Sequence, residues 1–172
     1  RQQRDFPRLI STLEARQVDL YPARNELELI RSKLLSKVDK RDSQNYSHPS
    51  KIYLTRRNAA AGRRVINEAE LIQALSKLGF QSLDTSELDY HTSLQIFSRA
   101  EFVIGAFGSS FFHALSVPQE CKLIELQGTE LIRWHGKKMA VDLGFDYETI
   151  ICETLENLDI VVDINSLVSI VN

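Results

Sequence analysis

The stretch Ala100-Glu101-Phe102-Val103-Ile104-Gly105-Ala106-Phe107-Gly108-Ser109-Ser110 decides the fold. Phe102, Val103 and Ile104 form an apolar run of the kind found in strands buried on both faces. Gly105 and Gly108 admit a sharp turn and a close approach of backbone to a ligand. Ser109 or Ser110 can then cap a helix carrying Phe111, Phe112, Ala114 and Leu115. Such a turn leaves first-turn amides free for an anion such as a diphosphate. The same residues also fit an ordinary strand-to-helix connection, because two glycines in a turn are a weak signature.

Outward from this turn, short apolar strands alternate with amphipathic helices, the pattern of a parallel sheet covered by helices. Strands are expected at Lys51 to Leu54, Phe80 to Leu83, Phe102 to Ile104, Lys122 to Leu126 and Tyr147 to Cys152. Asn67 is placed to cap a helix reaching Lys77, with Glu70 completing a capping-box-like start and Gly79 ending it. Further helices are expected from Thr92 or Ser93, over Leu131 to Leu143, and after Asp163. Leu88 to Tyr90 can be read as a short edge strand.

Upstream, apolar spacings of three and four from Asp5 to Val38 predict helix, divided in two by Pro22. Asp39 to Ser50 reads as an exposed linker. The organisation is therefore a helical segment with linker over 1–50 and a Rossmann-like α/β domain over 51–172. That domain is expected to be three-layered, with a mostly parallel sheet.

The 172 residues are 43% hydrophobic and 26% charged, with a formal net charge of -2. This balance argues against broad electrostatic binding to nucleic acid or membrane, so an anion site must be a local cluster. Cys121 and Cys152 show neither metal-ligand spacing nor a disulfide framework, and are expected to be reduced in or near the core of a cytoplasmic protein. No apolar run approaches the ~18 residues that cross a bilayer, and no signal peptide is apparent. No metal-binding, nucleophile-elbow or Walker pattern emerges, so no cofactor is expected.

In an open doubly wound sheet, ligands bind beyond the carboxyl ends of the strands, where strand order reverses. The connection after Leu54 reads Thr55-Arg56-Arg57-Asn58-Ala59-Ala60-Ala61-Gly62-Arg63-Arg64, with four guanidinium forks suited to phosphate. Taken singly, each reads first as a solvated loop residue, and it is the cluster at the strand end that points to an anion. Asn67 and Glu68 follow, as helix cap and dipole complement, or with Glu68 holding a loop arginine. Glu125, ending an apolar strand, can accept ribose hydroxyls or pair with an arginine. His113 faces either the crevice or the core.

The chain resembles the C-terminal half of glycosyltransferase family 61, which includes capsular polysaccharide biosynthesis proteins. The resemblance rests on KIYLTRRNAAAGRRVINEAELIQALSKLGF (Lys51 to Phe80), SLQIFSRAEFVIGAFGSSFFHALSVPQECKLIEL (Ser93 to Leu126) and MAVDLGFDY (Met139 to Tyr147). It implies the donor-binding half of a GT-B enzyme, whose partners are a nucleotide diphosphate sugar and a polysaccharide acceptor. By position it implies donor-binding roles for Arg56, Arg57, Arg64, Asn67, Glu68, Gly105, Gly108 and Glu125, with Ser109, Ser110 and His113 beside the turn. The chain departs from the family pattern at Phe107, where a histidine is usual, and at Ser110, where a glycine is usual.

His113 is the nearest substitute for that histidine. The 50 residues upstream are too few for the acceptor domain of ~100 to 150 residues that a GT-B enzyme needs. Two expectations follow: a transferase in surface polysaccharide synthesis whose acceptor domain lies outside this chain, or a non-catalytic module derived from the fold. The apolar face of the leading helices is a candidate dimer contact.

Overall fold

The computed structural model describes residues 21–38, 48–58 and 63–172. The first of the two helices expected between Asp5 and Val38, most of the linker and the middle of the arginine loop lie outside the described residues. Within them the order is α1 (Arg24–Leu35), β1 (Lys51–Leu54), α2 (Glu68–Ser76), β2 (Gln81–Leu83), α3 (Tyr90–Phe97), β3 (Phe102–Ala106), β4 (Lys122–Gly128), α4 (His135–Leu143), β5 (Asp146–Thr154), β6 (Ile160–Val161) and α5 (Ile164–Val171). Two 3-10 segments, Thr85–Glu87 and Ser109–Ser116, precede α3 and follow β3.

The six strands are ordered β2-β1-β3-β4-β5-β6. The first five run parallel, and β6 pairs antiparallel with β5 as an edge. Side chains alternate between faces along each strand. Ile52, Leu54, Val103 and Leu123 pack on one face with Leu27 of α1, Phe97 of α3, Phe111 of the 3-10 segment and Met139 of α4. Tyr53, Ile104, Ile124 and Leu126 pack on the other with Leu71 and Leu75 of α2 and Leu167 of α5. The result is a helix–sheet–helix sandwich. Cys121 and Cys152 are free and buried in it, and burial pushes their thiols up to about 12 and about 11.

Connections between parallel strands require crossovers, and this order leaves a reversal between β1 and β3. Leu54 and Gly105 are paired at that point, so the loop after β1 and the turn after β3 leave the sheet side by side. A Cβ on Gly105 would lie 3.0 Å from the Leu54 Cβ, which explains a glycine where the strands carry their last core contact.

Several local expectations are corrected. The segment after Gly108 is a 3-10 helix, not an α-helix, and neither Ser109 nor Ser110 caps it; the cap position is Gly108, which has no side chain to offer. Asn67 does not cap α2 with its side chain. Its amide instead donates to the Val162 carbonyl at 2.8 Å and accepts from the Val162 N–H at 3.0 Å, extending the ladder of β6. Tyr90 opens α3 and is not in a strand, because Asp89 accepts from the N–H groups of His91 and Thr92 as a side-chain cap. Leu131 lies outside α4, bridged to Gly128. The edge strand β6 was not anticipated, since two residues are too short a run to show alternation.

Candidate functional site

The carboxyl edge of β1, β3 and β4 gathers the chemistry. Arg56 follows β1 directly, and its main-chain N–H donates to Glu68 Oε1 at 3.1 Å. The Tyr53 hydroxyl donates to the same oxygen at 2.9 Å. Glu68 is 7% exposed, so its carboxylate ties the strand end and the loop start to the first turn of α2. Glu68 thus holds an arginine of the loop, through the backbone and not through the guanidinium.

The Arg56 side chain crosses to the turn after β3, where Nη1 donates to the Phe107 carbonyl at 2.9 Å. A Cβ on Gly108 would fall 1.8 Å from this nitrogen, so any larger residue displaces the guanidinium. Gly108 itself has extended backbone, and the need for glycine here is room and not torsion. Arg56 Nε is enclosed without a hydrogen-bond partner among the described residues. An orphaned donor costs about 1–3 kcal/mol, which an acceptor oxygen removes. Burial, then the neighbouring charge of Arg63, lowers the Arg56 pKa.

The other sequence-selected residues divide. Arg57 is exposed, and only its N–H contacts Thr55 Oγ1 at 3.2 Å. Arg64 turns away to Asp159, whose side chain is enclosed: the Arg64 N–H donates at 2.8 Å and Nη2 lies 3.4 Å from Oδ2. The hydrogen bond from the Arg64 N–H holds the Asp159 carboxyl below the ordinary range. Asn67, bound to Val162, and Arg64 thus brace β6 from the far side of the loop. His113 faces α3, with Nδ1 3.0 Å from Ser93 Oγ and its ring stacked on Phe97 at 5.0 Å. Burial lowers its pKa. This answers the crevice-or-core alternative for His113 in favour of α3.

Two pockets flank the Phe107 ring. One is lined by Phe107, Gly108, Phe112, Glu125, His135 and Gly136 among others. The second has Arg63 beside Phe107, Leu131, Leu158 and Ile160.

Glu125 is 1% exposed and pairs with no arginine among the described residues. Its Oε2 accepts from the Tyr147 hydroxyl at 2.5 Å and from Gln127 Nε2 at 2.8 Å. Gln127 also grips the Arg133 backbone in both directions, at 2.7 Å each, fixing the loop into α4. The carboxyl lies against Gly136, where a Cβ would sit 2.5 Å from Oε2. Tyr147 and Gln127 were missed from the sequence. The available signal was that both Glu125 and Gln127 point to one face of an otherwise apolar strand.

Burial raises the Glu125 pKa, against the opposing effect of its two donors. The folded state then holds this proton more tightly than the unfolded chain. Its stabilising contribution is full below the ordinary glutamate value of about pH 4 and is lost as pH rises through the raised value. Glu125→Gln is expected to flatten the stability profile in that window, measured as denaturant midpoints of both proteins across pH.

Helices on both faces of a mainly parallel sheet, with an arginine loop and a glycine turn at the strand-order reversal, define an open doubly wound α/β domain with a carboxyl-edge crevice. The chain belongs to glycosyltransferase family 61: the family described as Glycosyltransferase 61 matches residues 6–124. The match reaches upstream of the blocks quoted above, and spans both the arginine loop and the glycine turn. It ends at Ile124, one residue before Glu125. No curated protein gives a significant match. Among the described residues no helix is long and apolar enough to cross a membrane, and no group of three or more histidine, cysteine or acidic residues could hold a metal ion.

Proposed function

We propose that this chain supplies the donor side of a GT-B glycosyltransferase, holding a nucleotide diphosphate sugar at the carboxyl edge for transfer to a surface polysaccharide. The observation that carries this reading is the Arg56 guanidinium, hooked onto the Phe107 carbonyl with Nε enclosed and unpaired beside the Gly108 turn. A fixed guanidinium at the developing charge of a departing diphosphate stabilises the transition state, since it needs no reorganisation during the reaction. The Glu125 carboxyl, lining the adjoining pocket, is an acceptor for hydroxyl groups of the same ligand.

Isothermal calorimetry with UDP and GDP tests this directly: binding at micromolar to low millimolar concentration is expected, and none at millimolar ligand overturns it. Gly108→Ala is expected to weaken that binding at least about tenfold, because it expels the guanidinium and forfeits a hydrogen bond to a charged group. One observation favours the second reading, a non-catalytic module. The resemblance leads to a histidine where this chain has Phe107, and His113, the nearest substitute, turns to Ser93. Diphosphate binding without hydrolysis or transfer of the donor sugar, in the full-length protein, would support that alternative.

A further inference from the structure

The family resemblance assigns a donor-binding role to Arg64 and none to Arg63, yet the backbone sends the two in different directions. Arg63 has φ 64°, the left-handed region that side chains beyond glycine rarely adopt. Its neighbour is clamped on both sides: the Arg64 N–H binds Asp159, and the Arg64 carbonyl accepts from the Ile160 N–H at 2.8 Å. These contacts hold the unfavourable torsion. Arg64 is committed to Asp159, while the Arg63 guanidinium lies over the Phe107 ring, 5.5 Å from its centroid.

The same Phe107 residue offers its carbonyl to Arg56. Two guanidinium groups therefore converge on one turn, close enough for the charge of Arg63 to add to burial in lowering the Arg56 pKa. Neither is ion-paired to a carboxylate among the described residues. Like charges held together cost energy unless a negative charge joins them, and Arg63 also borders the second pocket.

We propose that Arg63, held over the Phe107 ring, is a second phosphate-binding guanidinium of the site and that the ring is its positioning residue. The inference rests on the donor reading above and deepens it. The ring face attracts the cation and fixes its plane. Arg56 and Arg63 together then grip the diphosphate from the loop side.

Calorimetry with UDP, and with inorganic pyrophosphate as a phosphate-only probe, tests the clamp on wild type, Arg56→Ala, Arg63→Ala, Phe107→Leu and Phe107→Tyr. Arg63→Ala is expected to weaken both ligands about 10- to 100-fold, the range for one lost hydrogen bond to a charged group. Phe107→Leu should weaken them about two- to fivefold, the range of an exposed cation–π contact, and Phe107→Tyr should restore them. The salt dependence of binding should fall in Arg63→Ala but not in the Phe107 variants. Wild type that binds neither ligand overturns the donor reading and the clamp together. Weakening by Arg56→Ala alone, with Arg63→Ala within twofold of wild type in a folded protein, leaves the donor reading and overturns the clamp. Loss in Arg63→Ala with no change in Phe107→Leu overturns the positioning role of the ring.

Discussion

Arg56→Ala is expected to lower the affinity for UDP or GDP by about 2–5 kcal/mol, the cost of removing one partner from a desolvated charge pair. The guanidinium uses Nη1 on the Phe107 carbonyl, which leaves Nε as the donor without a partner. Lysine cannot do both, because one ammonium lacks the fork, so Arg56→Lys should recover only part of the loss. Arg57→Ala should change affinity by less than about 1 kcal/mol, since its exposed charge is screened by water. Equal losses at both positions, read by calorimetry, would show that the loop acts as a diffuse basic patch and not through one fixed group.

Glu68→Ala is expected to destabilise the fold by about 2–4 kcal/mol, measured by denaturant unfolding, because two donors lose their acceptor in an enclosed site. The Tyr53 hydroxyl suffers most: the residue is 1% exposed and has no route to water. Removing both partners of a buried hydrogen bond is far less costly than removing one. Tyr53→Phe placed in the Glu68→Ala background should therefore recover a substantial part of the stability. The Arg56 N–H would remain unanchored in that double variant, so diphosphate affinity should stay reduced. Recovery of stability and affinity together would mean that Glu68 does not position the loop.

Much of the architecture was legible because hydrophobic periodicity is local. Phe102 to Ile104 read as a doubly buried strand, and Val103 and Ile104 are fully enclosed on opposite faces. Asp163 read as the cap of the last helix, and its carboxylate accepts from the Ser166 N–H at 3.1 Å. Asn67 failed as a cap for a reason no local pattern carries. Its amide is drawn to Val162, ninety-five positions away, because that edge backbone needs a partner more than the helix end does. Ser109 and Ser110 failed similarly, since the turn is shaped around an arginine from the loop after β1.

The order of apolar and polar residues determined an α/β chain of alternating strands and helices, and the family motifs, read along the chain, marked the two loops that matter. Those features depend on neighbours in sequence, so they survive in the string of letters. Which arginine serves the crevice was decided only by tertiary structure. Arg56, Arg57, Arg63 and Arg64 are chemically alike, and their roles diverge because Glu68 anchors the Arg56 backbone, Phe107 takes the Arg56 and Arg63 guanidinium groups, and Asp159 takes Arg64. The same holds for Glu125, whose partners Tyr147 and Gln127 are set by sheet pairing and side-chain alternation. Charge and burial acquire meaning from what folding brings within hydrogen-bond reach, and that is a property of three dimensions.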